Sequence, residues 1–255
     1  MSRDEARRPD VMTAELKKGF EWSAQHSQAL GLVVGALFLI GAGWSLMNYL
    51  NERKETALQE KFSAAEKTYL DKKEKFEQFQ KSSAQPADPK SKVAPKVEGE
   101  KASGDLNQDY GTVVTDLEAL VKEAPSSKAA VLSALTLTRI YDGYQKKNES
   151  IEVLKKVQSA SGLLGVLAQS ELGSELANNG DCKGAIDLWA KVVKDSDAKF
   201  MSPQLKLKMG LCSESLGQKA QAEDSYKQVV AEAKDSAAGK SAEKYLRLLE
   251  SKDAP

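Results

Sequence analysis

From Ala29 to Leu50 the chain reads ALGLVVGALFLIGAGWSLMNYL, 22 residues without one charged side chain. At 1.5 Å per residue such a helix is roughly 33 Å long, enough for a hydrocarbon core of about 30 Å. Trp22 on one side and Trp44 with Tyr49 on the other fit rings placed near two headgroup layers. The expectation is a single transmembrane helix over 29–50, preceded by a short tail over 1–28. A cleaved signal peptide fits less well, because its apolar region is normally 7–15 residues behind a short basic leader. Here the leader is as acidic as it is basic, and no cysteine near the run offers a lipid attachment point. Gly31 and Gly35 form a G-x-x-x-G pair, on which a second membrane helix could approach closely. Lys17 and Lys18 before the run face Arg53, Lys54, Lys61 and Lys67 after it, so local charge does not orient the helix.

Charge narrows the functions open to the rest. Lys plus Arg and Asp plus Glu number 37 each, which leaves no basic field for a polyanion, so nucleic acid is a poor partner. The only histidine, His26, precedes the apolar run. Everything beyond the run therefore lacks the commonest general base and metal ligand. No Gly-rich phosphate loop, G-x-S-x-G or C-x2-C spacing occurs, so the expectation is a protein without catalytic residues, cofactor or metal site.

After the run, Leu58, Phe62, Ala65, Tyr69, Phe76 and Phe79 recur in steps of four and three, with Lys72 in the one gap. That is a heptad seam on an amphipathic helix over 51–81, which either packs on a neighbouring domain or pairs in a coiled coil. Residues 82–108 hold Pro86, Pro89 and Pro95 and no aromatic residue, and read as a disordered insertion.

From 109 to 250 the pattern is helical and repetitive. Leu172-Gly173, Leu176, Ala185 and Trp189 match the spacing of the tetratricopeptide unit. Met209-Gly210, Ser213, Ala222 and Tyr226 repeat it 37 residues later, and Leu137, Tyr141, Ser150 and Leu154 precede it by 35. Turns fall at Asn179-Gly180-Asp181 and Leu216-Gly217-Gln218, with Lys147-Asn148 in the weakest copy. Val113 and Leu117, ended by Pro125, form the second helix of an earlier hairpin, whose first helix is supplied by the heptad helix. Ser241–Glu250 is a capping helix. The fold class expected is all-α: one transmembrane helix followed by a tetratricopeptide-like solenoid.

This order of tail, membrane helix, linking helix and small repeat domain resembles the bacterial YfgM-like family, ancillary subunits of the Sec translocon. The resemblance runs from Phe20 through the repeats. It implies an inner-membrane protein with a cytoplasmic N-terminus and a periplasmic repeat domain. Translocon subunits, periplasmic chaperones or exported chains would be its partners.

Tetratricopeptide stacks bind segments along a concave face lined by first-helix side chains. The register assigns Leu135, Arg139 and Asp142, then Ser170, Ser174 and Ala177, then Leu207, Leu211 and Glu214 to that face. The Lys and Asn residues of a carboxylate clamp are missing from matching positions, so a mixed apolar and polar surface for exposed segments or a helix is expected. The alternative function is a homo-oligomeric envelope or cell-division scaffold, a homodimer held by Gly31/Gly35 and the heptad helix. Cys182 starts the second helix of one repeat and Cys212 lies late in the first helix of the next. Antiparallel packing brings these points together, so they form either a disulfide, favoured in an oxidising periplasm, or two buried thiols.

Overall fold

The computed structural model describes residues 26–84 and 98–251, apart from the side chains of residues 27, 29–31, 33 and 34. The expected tail before residue 26, the middle of the expected insertion and Gly31 lie outside the described residues. Two compact units divide the chain, Met1–Lys54 and Glu55–Pro255.

The first helix, α1, runs unbroken over Ser27–Ala84, so the apolar run and the heptad seam share one helix. In the first unit its described large apolar side chains are all open to solvent, with Leu32 76%, Phe38 75%, Leu39 73% and Trp44 70% exposed. Gly35, Gly41 and Gly43 have no neighbouring atom within 4 Å of where a Cβ would sit. Among the described residues no helix is long and apolar enough to cross a membrane.

In the second unit every described element is helical: α2 Leu106–Glu123, α3 Lys128–Gly143, α4 Lys147–Val157, α5 Gly162–Asn178, α6 Cys182–Val192, a 3-10 turn at Ser196–Met201, α7 Ser202–Ser215, α8 Lys219–Ala233 and α9 Ala237–Ser251. Side-chain caps fix several starts: Asp105 accepts from the Gln108 amide, Ser127 from Ala130 and Asp181 from Gly184.

Consecutive helices pair as hairpins, α3 with α4, α5 with α6, α7 with α8, and α9 closes the stack on α8. Each hairpin is held at the motif positions. A Cβ at Gly173 would fall inside the Trp189 indole, and one at Gly210 inside the Tyr226 ring. The small residue of the first helix is thus the socket for the large residue of the second, which is 1% exposed for Trp189 and 0% for Tyr226. In the earliest copy Leu154, fully buried, takes that place. Gly180 and Gly217 turn the chain at φ +88° and +72°, and Gln145 takes the same left-handed conformation in the earlier hairpin. The turn expected at Lys147-Asn148 therefore lies two residues earlier: Lys146 amide closes onto Tyr141 O, and Lys147 already begins α4.

The heptad seam supplies the missing first helix of the earliest hairpin. Leu58, Phe62, Ala65, Tyr69 and Phe76 are 2–8% exposed within the main core cluster. Lys61 pairs with Glu123 at 2.9 Å while Tyr69 and Phe76 meet Tyr110, so this part of α1 runs antiparallel to α2. Lys72 fills the gap in the seam for a reason: its ammonium donates to the Asp109 carbonyl at 2.6 Å. These seam residues are spent on the repeat core, which leaves the coiled-coil reading without its interface.

Of the stretch over 82–108 expected to be disordered, residues 85–97 lie outside the described residues and the rest is ordered. Residues 82–84 are helical, and 106–108 form the first turn of α2. Between them Ser82 bonds the Glu98 backbone, and the Glu100 amide donates to Lys75 O at 3.1 Å. The sequence gives little apolar signal here because residues 98–104 are held through hydrogen bonds to their own backbone groups, which any residue type supplies.

Candidate functional site

The register places all nine groove residues on first helices, but packing divides them. Ser170 and Leu207 are 7% and 6% exposed, and Leu135 and Ala177 pack against core clusters. The leading residue of each triple is taken up by packing: Leu207 clusters with Ala222, Tyr226 and Val229 of its own hairpin, the Ser170 carbonyl accepts from the Trp189 indole, and Leu135 lies against the main core cluster. Glu214 accepts the Tyr226 hydroxyl at 2.8 Å. Ser174 accepts from Lys208 Nζ at 2.7 Å, and that ammonium also lies 5.7 Å from the Trp189 ring centre. Arg139, Asp142 and Leu211 are the expected groove residues that remain exposed.

Arg139 and Asp142 line two adjoining hollows that share Gln145. The first, of about 500 Å³, lies between the later part of α1, residues 102–104 and the end of α3. Its wall is aromatic. Tyr110 meets Tyr69, Phe76 and Tyr144 with ring centres 5.5, 5.6 and 6.1 Å apart. The wall is fixed by Asp109, which is 5% exposed. Its carboxylate accepts from the Ser103 amide at 2.9 Å, the Gly104 amide at 3.0 Å and the Tyr144 hydroxyl at 2.7 Å. Burial alone would raise its pKa, but these donors together hold it below the ordinary carboxylate value.

The second hollow, of about 590 Å³, is bordered by Asp142, Gln145, Lys147, Glu175 and Asn178. Glu175 is 5% exposed; burial, reinforced by the nearby Asp142 carboxylate, raises its pKa. Sequence reasoning did not single out Tyr110, Tyr144, Asp109 or Glu175. The aromatic residues look like core filling at helical spacing, and only the tertiary arrangement turns them toward one cavity.

Cys182 and Cys212 are joined, with Cα atoms 5.2 Å apart, where the start of α6 meets the end of α7. No group of His, Cys, Asp and Glu suited to a metal ion occurs among the described residues.

No family model matches the chain, and no curated protein matches it. Solved structures with a similar arrangement include one titled as the crystal structure of MamA, at 19% identity over 60% of this chain and 96% of that one, TM-score 0.41. Another is a putative kinesin light chain with nearly identical TPR-like repeats from Podosopora anserina, at 20% identity over 57% of this chain and 79% of that one, TM-score 0.45. Nothing about partners follows from these likenesses. The assignment to a tetratricopeptide type of fold stands on the hairpin pairing and on the seating of Trp189 over Gly173 and Tyr226 over Gly210.

Proposed function

We propose that the protein is a membrane-anchored adaptor that binds other proteins through its helical-repeat unit and has no catalytic role of its own. The observation that carries this reading is the pairing of a hairpin-repeat stack with an α1 segment whose described apolar side chains lie uncovered along residues 32–50. An apolar surface of this extent needs a cover, and the uncharged run of 22 residues, several of whose side chains lie outside the described ones, supports a bilayer as that cover. The Cys182–Cys212 disulfide supports placing the repeats in an oxidising compartment. Together with the resemblance to the YfgM-like family, these points favour a bacterial inner-membrane protein, N-terminus inside and repeats in the periplasm, acting near the Sec translocon on exported or envelope proteins. The engagement of the heptad seam within the repeat core counts against the homo-oligomeric scaffold.

Two experiments test the reading. Protease added to spheroplasts is expected to digest the repeat unit; protection of that unit with loss of the tail would reverse the topology. Crosslinking in intact membranes, followed by isolation in mild detergent, is expected to yield heterologous products. Products containing this chain alone would favour the scaffold.

A further inference from the structure

The aromatic cavity at the head of the repeat stack has a charge arrangement that its structural role does not call for. Its wall is preorganised, because Tyr144 is pinned through its hydroxyl to Asp109 and the Asp109 charge is met by two backbone amides. The remaining charged groups lining the cavity are Lys73, Glu77 and Arg139. Lys73 and Glu77 lie one helical turn apart with 3.9 Å between their charges, and offset each other. Arg139 is exposed and makes no hydrogen bond or ion pair among the described residues. The rim therefore carries one guanidinium without a bonded partner among the described residues, above a floor of aromatic rings, while Asp142 one turn further along α3 lines the adjoining hollow and accepts from the Ser150 hydroxyl at 2.8 Å. A guanidinium prefers carboxylate to other common protein groups because its planar fork matches both oxygens. A preformed hollow of several hundred Å³ with apolar walls and one fixed polar group is the usual form of a binding pocket.

We propose that this cavity docks an extended segment of a partner polypeptide in which a carboxylate neighbours an aromatic or large aliphatic side chain. The apolar side chain enters against Tyr110 and Tyr144, and the carboxylate pairs with Arg139. The proposal rests on the adaptor reading and gives it a site and a partner chemistry.

The test uses the full chain in mild-detergent micelles and a fluorescein-labelled peptide, Gly-Ser-Glu-Phe-Asp-Phe-Ser-Gly, followed by fluorescence anisotropy. Two control peptides carry Lys in place of both acids, or Ala in place of both Phe. Wild type is expected to bind the acidic aromatic peptide roughly tenfold or more tightly than either control, the factor that about 1.4 kcal/mol supplies. Arg139→Glu should abolish that preference and favour the Lys peptide, while Arg139→Gln should bind neither charged peptide preferentially. Circular dichroism checks that both variants fold, as expected for an exposed position. No binding of the acidic peptide to wild type, equal binding of all three peptides, or an unchanged preference in folded Arg139→Glu would overturn the proposal. A photo-crosslinking residue at Gln80, beside the cavity, is compared in intact membranes with one at Leu211. Heterologous products from Leu211 alone would remove this site and leave the adaptor reading standing. An absence of such products from both positions would remove both.

Discussion

Replacing Gly173 by alanine sets two elementary effects against each other, and the structure decides between them. In an isolated helix the change would stabilise by about 1 kcal/mol, since alanine is the better helix former. Here the new methyl group would overlap the Trp189 indole, which is 1% exposed, donates its ring N–H to Ser170 O at 3.1 Å and has no free space to enter. Overpacking of this kind costs about 1–3 kcal/mol, and complete loss of a buried tryptophan about 3–5 kcal/mol. After the helix-propensity gain the net loss is up to about 2 kcal/mol with the indole retained and about 2–4 kcal/mol with it expelled. For a unit of this size each kcal/mol lowers the melting temperature by roughly 2–4 °C. Gly111 in α2 is the internal control: an added Cβ there meets only Asn107 Cβ at 3.8 Å, so Gly111→Ala should stabilise by up to about 1 kcal/mol. Thermal unfolding followed by circular dichroism compares the two. Combining Gly173→Ala with Trp189→Leu should cost less than the sum of the single changes, because the smaller side chain relieves the overlap. A melting temperature raised by Gly173→Ala, or strict additivity in the double variant, would refute the socket account of the repeat.

Replacing both cysteines by alanine should destabilise by roughly 3–4 kcal/mol, as expected for a closed loop with a sequence separation of 30, and wild type unfolded without reductant should take up no alkylating reagent by mass spectrometry. Asp109→Asn should cost about 2–3 kcal/mol, because a charge-assisted acceptor of three hydrogen bonds is lost. The folded pKa of Asp109 lies below 3.8, so its contribution is present above that value and fades as pH falls through the folded pKa; denaturant midpoints of wild type and variant should converge in acid, below about pH 4. Glu175→Gln should do the reverse: the folded pKa is raised, so the charge destabilises at neutral pH, and the variant should melt higher there and lose its advantage as pH drops below the ordinary carboxylate value.

Much of the fold is written in residue type and spacing. A large apolar residue on the first helix and another on the second recur every 35–37 positions, with a glycine socket under an aromatic ring in the last two copies, and fix hairpins of one geometry, because a large side chain needs a small partner opposite it on the neighbouring helix. The proximity of Cys182 and Cys212 follows from the same register, since it decides which helix start meets which helix end; that they are bonded rather than two thiols is given by the structure. Spacing also located the first helices that bear Arg139 and Asp142. Which side chains on those helices stay open was decided by tertiary packing: Ser170 and Leu207 share a helical face with exposed residues but are buried, Leu207 in a cluster with Ala222, Tyr226 and Val229. Packing likewise chose the core over a coiled coil for Tyr69 and Phe76, because α2 and the heptad helix each offer an apolar stripe that only the other can bury. The aromatic cavity is held open by Asp109, which binds the Ser103 and Gly104 amides and the Tyr144 hydroxyl, while the Glu100 amide ties the same segment to Lys75 O of α1. Hydrogen bonds from backbone amides carry no sequence signature, so that arrangement was visible only in three dimensions.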